Sequence, residues 1–270
     1  MSMDKANHTF ILGRQVEGIP TLEASKVRLF EALQDEEADF ERLEGVISAD
    51  PAMASKIIKL ANSPFYRHAK GAIGIHQSLL IIGMDMVKCI TLSMAVISSL
   101  KTESKYARPL WAHSYATALI ALSLSRDRAE KDLLFTGALL HDLGRMVFLF
   151  KAPEAYVPLI EFEGNWPDED LERQVFSTDH SVLGEAVART WHFPEGVVEI
   201  IRHHHRPVSR ASAMVHLINH VICRHERGMG VGDSQYDSLL RSYLGEMYKD
   251  LVNTILQRYK VNHVIIENLF

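Results

Sequence analysis

The chain has 270 residues, 47% of them hydrophobic and 23% charged, with a formal net charge of −5. That length and apolar share suffice for a sizeable core, which excludes disorder as the main state. Net acidity without a long Lys/Arg block excludes a stripe for a phosphate backbone, so no nucleic-acid partner is expected.

The two cysteines, Cys89 and Cys223, form no CxxC pair. The sequence therefore reads as neither a disulfide scaffold nor a zinc ribbon, and a reducing cytoplasm is the expected location. Residues 1–19 read as a tail lacking the basic region and apolar stretch of a secretory leader. The most apolar long segment, Leu79 to Leu100, is interrupted by Asp85 and Lys88, so no membrane span is expected.

Helical periodicity begins at Leu22, where Leu22, Val27, Leu29, Phe30 and Leu33 recur on one face after the stop and cap Pro20-Thr21. A second helix is predicted over Phe40 to Ile47. Asp50-Pro51 then opens a third, with Asp50 as cap and Pro51 as the first helical residue, which Asn62-Ser63-Pro64 stops. Ile75 to Leu100 holds two more stretches parted at Gly83, the second spanning Met84 to Ser99. The charged run Asp35 to Glu44 reads as a solvated face and turn.

Beyond the polar stretch Lys101 to Arg108, one helix is predicted from Pro109 to Ser125 and another from Lys131 to about Phe148. Pro153 to Pro167 reads as a looser connection. Asp179 to Trp191 and Glu195 to His204 form a helical pair broken by Phe193-Pro194. Ala211 to Arg224 and Tyr236 to Tyr259 finish the chain, separated by the glycine-rich turn at 228–232. β-Branched residues sit inside helical periodicity and not in alternation, so the fold class is all-α. The expected division is an N-terminal helical lobe over 20–105, a second lobe over 106–228 and a helical extension over 229–270. No linker rich in Gly, Pro or Ser separates them, so they are expected to move as one body.

Histidine is the anomalous residue, with 14 copies. His141-Asp142 is an adjacent pair ending an apolar run, and neighbouring residues on a helix point about 100° apart, so the two can straddle one metal ion or serve two. A nitrogen ligand beside a carboxylate suits Fe, Mn, Zn or Ni better than calcium. Further ligands can come from His113, His180 and the run His203-His204-His205, one group on each of four helices. Elsewhere, His8, His68, His76, His192, His220 and His263 read as ordinary core or interface residues.

The order of Trp111-Ala-His113, Leu140-His141-Asp142-Leu-Gly144, Asp179-His180 and His204-His205-Arg-Pro207 resembles the HD superfamily of metal-dependent phosphohydrolases. Ile47-Ser-Ala-Asp50-Pro51 through Leu60-Ala61-Asn62-Ser63, with Ile75 to Gly83, resembles its HDOD branch in particular. The resemblance covers roughly residues 20 to 210. It implies a helical bundle around one or two divalent ions held by His113, His141, Asp142, His180, His204 and His205, the last two preferred over His203.

Two departures stand out. The carboxylate expected in the following helix appears as Asn219, and no Gly-Tyr-Pro signature follows His205, which disfavours cyclic-dinucleotide cleavage. Arg145 replaces a lysine common in relatives and is expected to clamp phosphate with two donors without donating a proton. The implied function is a regulatory module acting through a signalling protein partner or a phosphate-containing small ligand. The alternatives are a phosphohydrolase acting on a nucleotide or other phosphate ester, and an iron-based oxygen-handling site.

Overall fold

The computed structural model describes residues 40–62, 72, 74–83, 87, 91, 100, 104–229, 236–245 and 248–269. All regular structure among them is helical. They fall into two compact units, one holding the described residues up to 99 together with 260–269 and the other holding residues 100–259. The helix expected over 22–33 lies outside the described residues, as does that over 84–99 apart from Val87 and Thr91, both helical and buried.

In the first unit, α1 (Phe40–Ser48), α2 (Pro51–Ala61) and α3 (Ile75–Ile82) pack on one another. Their shared core holds Leu43, Ile47, Met53, Ile57, Leu60, Leu79 and Ile82. Asp50 caps α2 by accepting the Met53 N–H at 3.2 Å, as the Asp-Pro start requires. Beyond the end of α2, the Asn62 amide bonds the Ala72 carbonyl and N–H, both at 2.8 Å.

The second unit carries α4 (Ala107–Leu124), α5 (Arg128–Leu140), α6 (Leu143–Lys151), α7 (Pro153–Glu163), α8 (Glu169–Phe176), α9 (His180–Thr190), α10 (Glu195–His203), α11 (Arg210–Glu226), α12 (Asp237–Leu244) and the start of α13 (Tyr248–Leu269). α4 lies along α5, α6 along α9, and α10 against α5, α9 and α11. Asp127, Asp168, Asp179 and Ser209 cap α5, α8, α9 and α11 through their side chains.

Three expectations are corrected. The single helix expected from Lys131 to Phe148 is two, because Asp142 leaves helical geometry at φ −98, ψ 20 and its carbonyl starts α6 by accepting from Arg145 and Met146. The connection expected over Pro153 to Pro167 is largely α7, followed by the unanticipated α8. Proline at the first position of α7 suits a helix start, and Pro158 is exposed, so the carbonyl it leaves unpaired faces water. The final helix breaks at Gly245, whose φ of 80 only glycine adopts readily.

The apolar run Ala129–Lys151 is long and apolar enough to cross a membrane by length and composition alone, yet 89% of its apolar window is buried inside the protein.

Candidate metal centre

The six sequence-predicted ligand residues come together in the second unit. His113 lies on α4, His141 and Asp142 in the break between α5 and α6, His180 at the first position of α9, and His204 and His205 just past α10. They form two sets that share Asp142. One is Asp142, His180, His204 and His205, and the other is His113, His141 and Asp142. Within each, the candidate ligand atoms lie within 4.8 Å of one another.

Asp142 sits between the sets with one oxygen toward each. Its Oδ1 is 3.5 Å from His180 Nε2 and 3.7 Å from His204 Nε2, while its Oδ2 is 3.4 Å from His141 Nε2. His180 Nε2 lies 3.4 Å from His204 Nε2 and 2.9 Å from His205 Nε2. Ligand atoms about 2.1 Å from a common ion are roughly 3.0 Å apart at a right angle and roughly 3.4 Å apart at a tetrahedral angle. The observed spacings therefore match atoms arranged around an ion.

The ring tautomers point the same way. His141 Nδ1 donates to the Ala138 carbonyl at 2.6 Å and His204 Nδ1 to the Ile201 carbonyl at 2.8 Å, which leaves each Nε2 with its lone pair free. His141 Nε2 is fully buried without a hydrogen bond. Such an atom costs about 1–3 kcal/mol of lost hydration unless something coordinates it. Burial, then the neighbouring histidines, push the pKa of His204 and His205 well below the usual imidazole range. Burial alone would raise the Asp142 pKa, but His141 and Arg145 hold it well below the carboxylate range. Neutral imidazoles around an ionised carboxylate are the protonation states a metal requires.

A close helix contact makes this possible. A Cβ on Gly144 would run into the carbonyl of His180, so only glycine lets α6 approach α9 and bring Asp142 to His180.

Sequence reasoning missed the layer behind the ligands. Glu172 on α8 is fully buried. Its Oε2 accepts the His180 backbone N–H at 2.8 Å and faces His180 Nδ1 at 2.5 Å. Its Oε1 accepts the Tyr156 hydroxyl at 2.6 Å and lies 3.4 Å from an Arg145 nitrogen. Burial would raise the Glu172 pKa, but His180 and Arg145 lower it. In an acidic first turn of Glu169, Asp170 and Glu172, nothing in the sequence marks the one carboxylate that turns inward.

Arg145, the residue expected to clamp phosphate, faces protein groups. Its guanidinium is buried, with Nε on Asp142 Oδ1 at 3.0 Å and Nη1 on the Pro167 carbonyl at 2.8 Å and the Tyr156 hydroxyl at 3.3 Å. A position three residues beyond Asp142 on the same turn directs its charge inward to Asp142 and Glu172 instead.

The second set is held differently. His113 Nε2 lies 2.9 Å from Asn219 Oδ1, and His113 Nδ1 lies 3.4 Å from Glu226 Oε2. Burial opposes charging of His113, but the Glu226 carboxylate raises its pKa. Glu226 in turn accepts the Tyr259 hydroxyl from α13 at 2.9 Å. Cys223 donates to the same Asn219 oxygen at 3.1 Å, and burial pushes its thiol pKa up to about 12.

His205 alone among the six is half-buried, the other five being buried. It lines a cavity of about 700 Å³ together with Arg206, His216 and His220 of α11, Tyr236, and Asp168, Glu169, Asp170 and Arg173 at the start of α8. His216 donates from Nδ1 to the His204 carbonyl at 2.8 Å.

The sequence profile of the HDOD domain matches residues 19–207. The chain is 26% identical over 196 residues to an uncharacterized protein of Treponema pallidum (strain Nichols), a match covering 71% of this chain and 38% of that protein. The chain therefore corresponds to well under half of that relative. Among solved structures, an HDOD domain protein of unknown function from Geobacter sulfurreducens superposes with a TM-score of 0.76 at 22% identity, covering 98% of this chain and 99% of that one. A Shewanella amazonensis SB2B protein, named by inference only as a phosphohydrolase, superposes with a TM-score of 0.75 at 17% identity, over 96% and 98% of the two chains. A Marinobacter aquaeolei VT8 protein, named by inference only as a signal transduction protein, gives 0.76 at 18%, over 98% and 66%. At these identities the likeness is one of fold.

Proposed function

The chain belongs to the HDOD domain family, and from that premise we propose that it is a regulatory protein. In this reading a divalent metal centre binds a phosphate-containing small ligand, and occupancy is passed on through contacts with a signalling protein partner. One observation carries it: Nε2 atoms of His180, His204 and His205 converge on Asp142, with the other ring nitrogens of His180 and His204 held by a buried carboxylate and a carbonyl. Imidazole and carboxylate together suit Zn, Fe, Mn or Ni. A divalent ion there would supply positive charge for phosphate oxygens and, in an enzyme, an activated water.

The chain's own residues favour one well-held ion. Glu172 orients His180, Arg145 steadies Asp142, and the carbonyl of Ile201 fixes the His204 ring. A second ion would have to displace the contacts of His113 with Asn219 and Glu226.

Hydrolysis of a phosphate ester is the second reading, and the two-sided placement of Asp142 favours it, because a carboxylate with one oxygen toward each set is placed to bridge two ions. Elemental analysis of the untagged chain after dialysis, with phosphate-release assays on nucleotides and a generic phosphodiester in added manganese, separates the two. Bound metal without turnover supports the regulatory reading, metal with turnover supports the hydrolase, and absence of metal overturns both.

A further inference from the structure

Three histidines are grouped with Asp142 on one side of the centre. Two of them have their rings fixed through Nδ1, His180 by Glu172 and His204 by the Ile201 carbonyl. His205 has no such hold. Among the described residues its ring makes one contact of hydrogen-bonding length, that of its Nε2 with His180 Nε2 at 2.9 Å. The placing of His205 therefore rests on its backbone.

Neighbouring residues on a helix point about 100° apart, yet the rings of His204 and His205 have centroids 4.1 Å apart and both bring Nε2 to His180. The chain achieves this just past the end of α10, where carbonyls lose their partners within the helix. The peptide that joins His204 to His205 is common to both, and its carbonyl oxygen accepts from His216 Nδ1 at 2.8 Å. His216 is buried on α11, with the Tyr236 ring edge-on at 5.2 Å and the His220 ring stacked at 6.2 Å. The far end of the segment is tied to the same helix. Ser212 Oγ accepts the N–H groups of Val208 at 3.1 Å and Ser209 at 3.0 Å, and the Tyr243 hydroxyl of α12 donates to the Val208 carbonyl at 2.8 Å. Residues 204–208 are thus a short bridge held at both ends on α11 and stiffened by Pro207.

We propose that His216 is a positioning residue of the metal centre: by holding the His204 carbonyl it sets the peptide between His204 and His205, and so places His205 Nε2 for the ion. This rests on the metal-centre reading above and adds to it a residue that acts through His205. Ser212, His216 and Tyr243 all lie beyond residues 19–207, the segment matched by the family profile, so the hold on the ligand-bearing bridge comes from outside that segment.

The test is zinc affinity of the full chain, measured by competition with a chromophoric chelator, together with the visible absorption of the cobalt(II)-loaded chain. His216→Phe keeps a ring between Tyr236 and His220 but removes the donor, and His216→Leu takes its place in the same comparison should it not fold. His216→Asn keeps a donor nitrogen on Cγ, where His216 carries Nδ1. His216→Phe should weaken zinc binding about tenfold, as loss of a group that orients a ligand does, and His216→Asn should stay close to the parent. His205→Ala should weaken binding by itself, and His216→Phe added to it should weaken it no further, since a residue that acts through another is not additive with it. The cobalt spectrum of His216→Phe should move toward that of His205→Ala. Three results would each overturn the proposal and leave the metal centre standing: parent-like affinity in His216→Phe, an equal loss in His216→Asn, or the same loss from His216→Phe with and without His205. A parent chain that binds neither zinc nor cobalt would overturn the metal-centre reading and this proposal with it.

Discussion

The two sides of the histidine cluster contain similar residues but are prepared to different degrees. On the side of His180, His204 and His205, the Nδ1 atoms of His180 and His204 are held by Glu172 and the Ile201 carbonyl, and Glu172 is itself held by Tyr156 and Arg145. On the side of His113 and His141, only His141 is fixed in this way. His113 spends its Nε2 on Asn219, and its Nδ1 faces Glu226, a partly exposed carboxylate. Ligand-type residues in the right order are thus not equally prepared for an ion. What separates the halves is whether a second layer holds the rings for an ion or engages their coordinating atoms.

The largest effect should come from breaking the contact on which both halves depend. Gly144→Ala forces α6 and α9 apart at the His180 carbonyl, and overpacking against backbone should cost about 3 kcal/mol or more. Denaturant unfolding should show the loss, and elemental analysis should find the metal gone with it.

Next is acid, which should weaken the better-held half. Burial, opposed by the hydrogen bond to His204, lowers the His216 pKa to about 4, against about 6.5 in an unfolded chain. The unfolded chain takes the proton first, so stability is retained above roughly pH 6.5, falls as pH drops, and levels off below about pH 4. The loss should be on the order of 3 kcal/mol at its limit. The metal-free chain should have a lower urea midpoint at pH 5 than at pH 7, and His216→Gln should flatten that difference.

Glu172→Gln sharpens the comparison without removing a ligand. It should lower metal affinity about 10- to 100-fold, as loss of an orienting carboxylate does, read by competition with a chromophoric chelator. Removing Glu226, the corresponding carboxylate of the other half, should change the retained metal little. The smallest effect is expected from Asn219→Asp, which restores a carboxylate beside His113. Metal stoichiometry should then rise above that of the parent chain when manganese or zinc is supplied in excess.

The sequence could show which histidines gather around Asp142 because their spacing against helical periodicity is regular, and the cap of α2 because Asp50-Pro51 is a helix start. The break at His141-Asp142 was hidden, since apolar residues recur at helical spacing on both sides of it, from Leu133 to Phe148. Glu172 was invisible because it is one of several acids, with Asp168, Glu169 and Asp170, in one short stretch. Arg145 was legible as a charge beside the site but not in its direction, which depends on Tyr156, Glu172 and the Pro167 carbonyl, all remote in sequence. Asn219 was recognised as a departure, but its contact with His113 became apparent only once α4 and α11 were paired.

The measurement that bears most directly on the unequal halves is metal content after dialysis in His180→Ala and His113→Ala, each checked for an intact helical fold by circular dichroism. The unequal-halves account predicts that the parent chain keeps about one ion, that His113→Ala keeps it, and that His180→Ala loses it. Equal loss in both variants, or retention in His180→Ala, would contradict it.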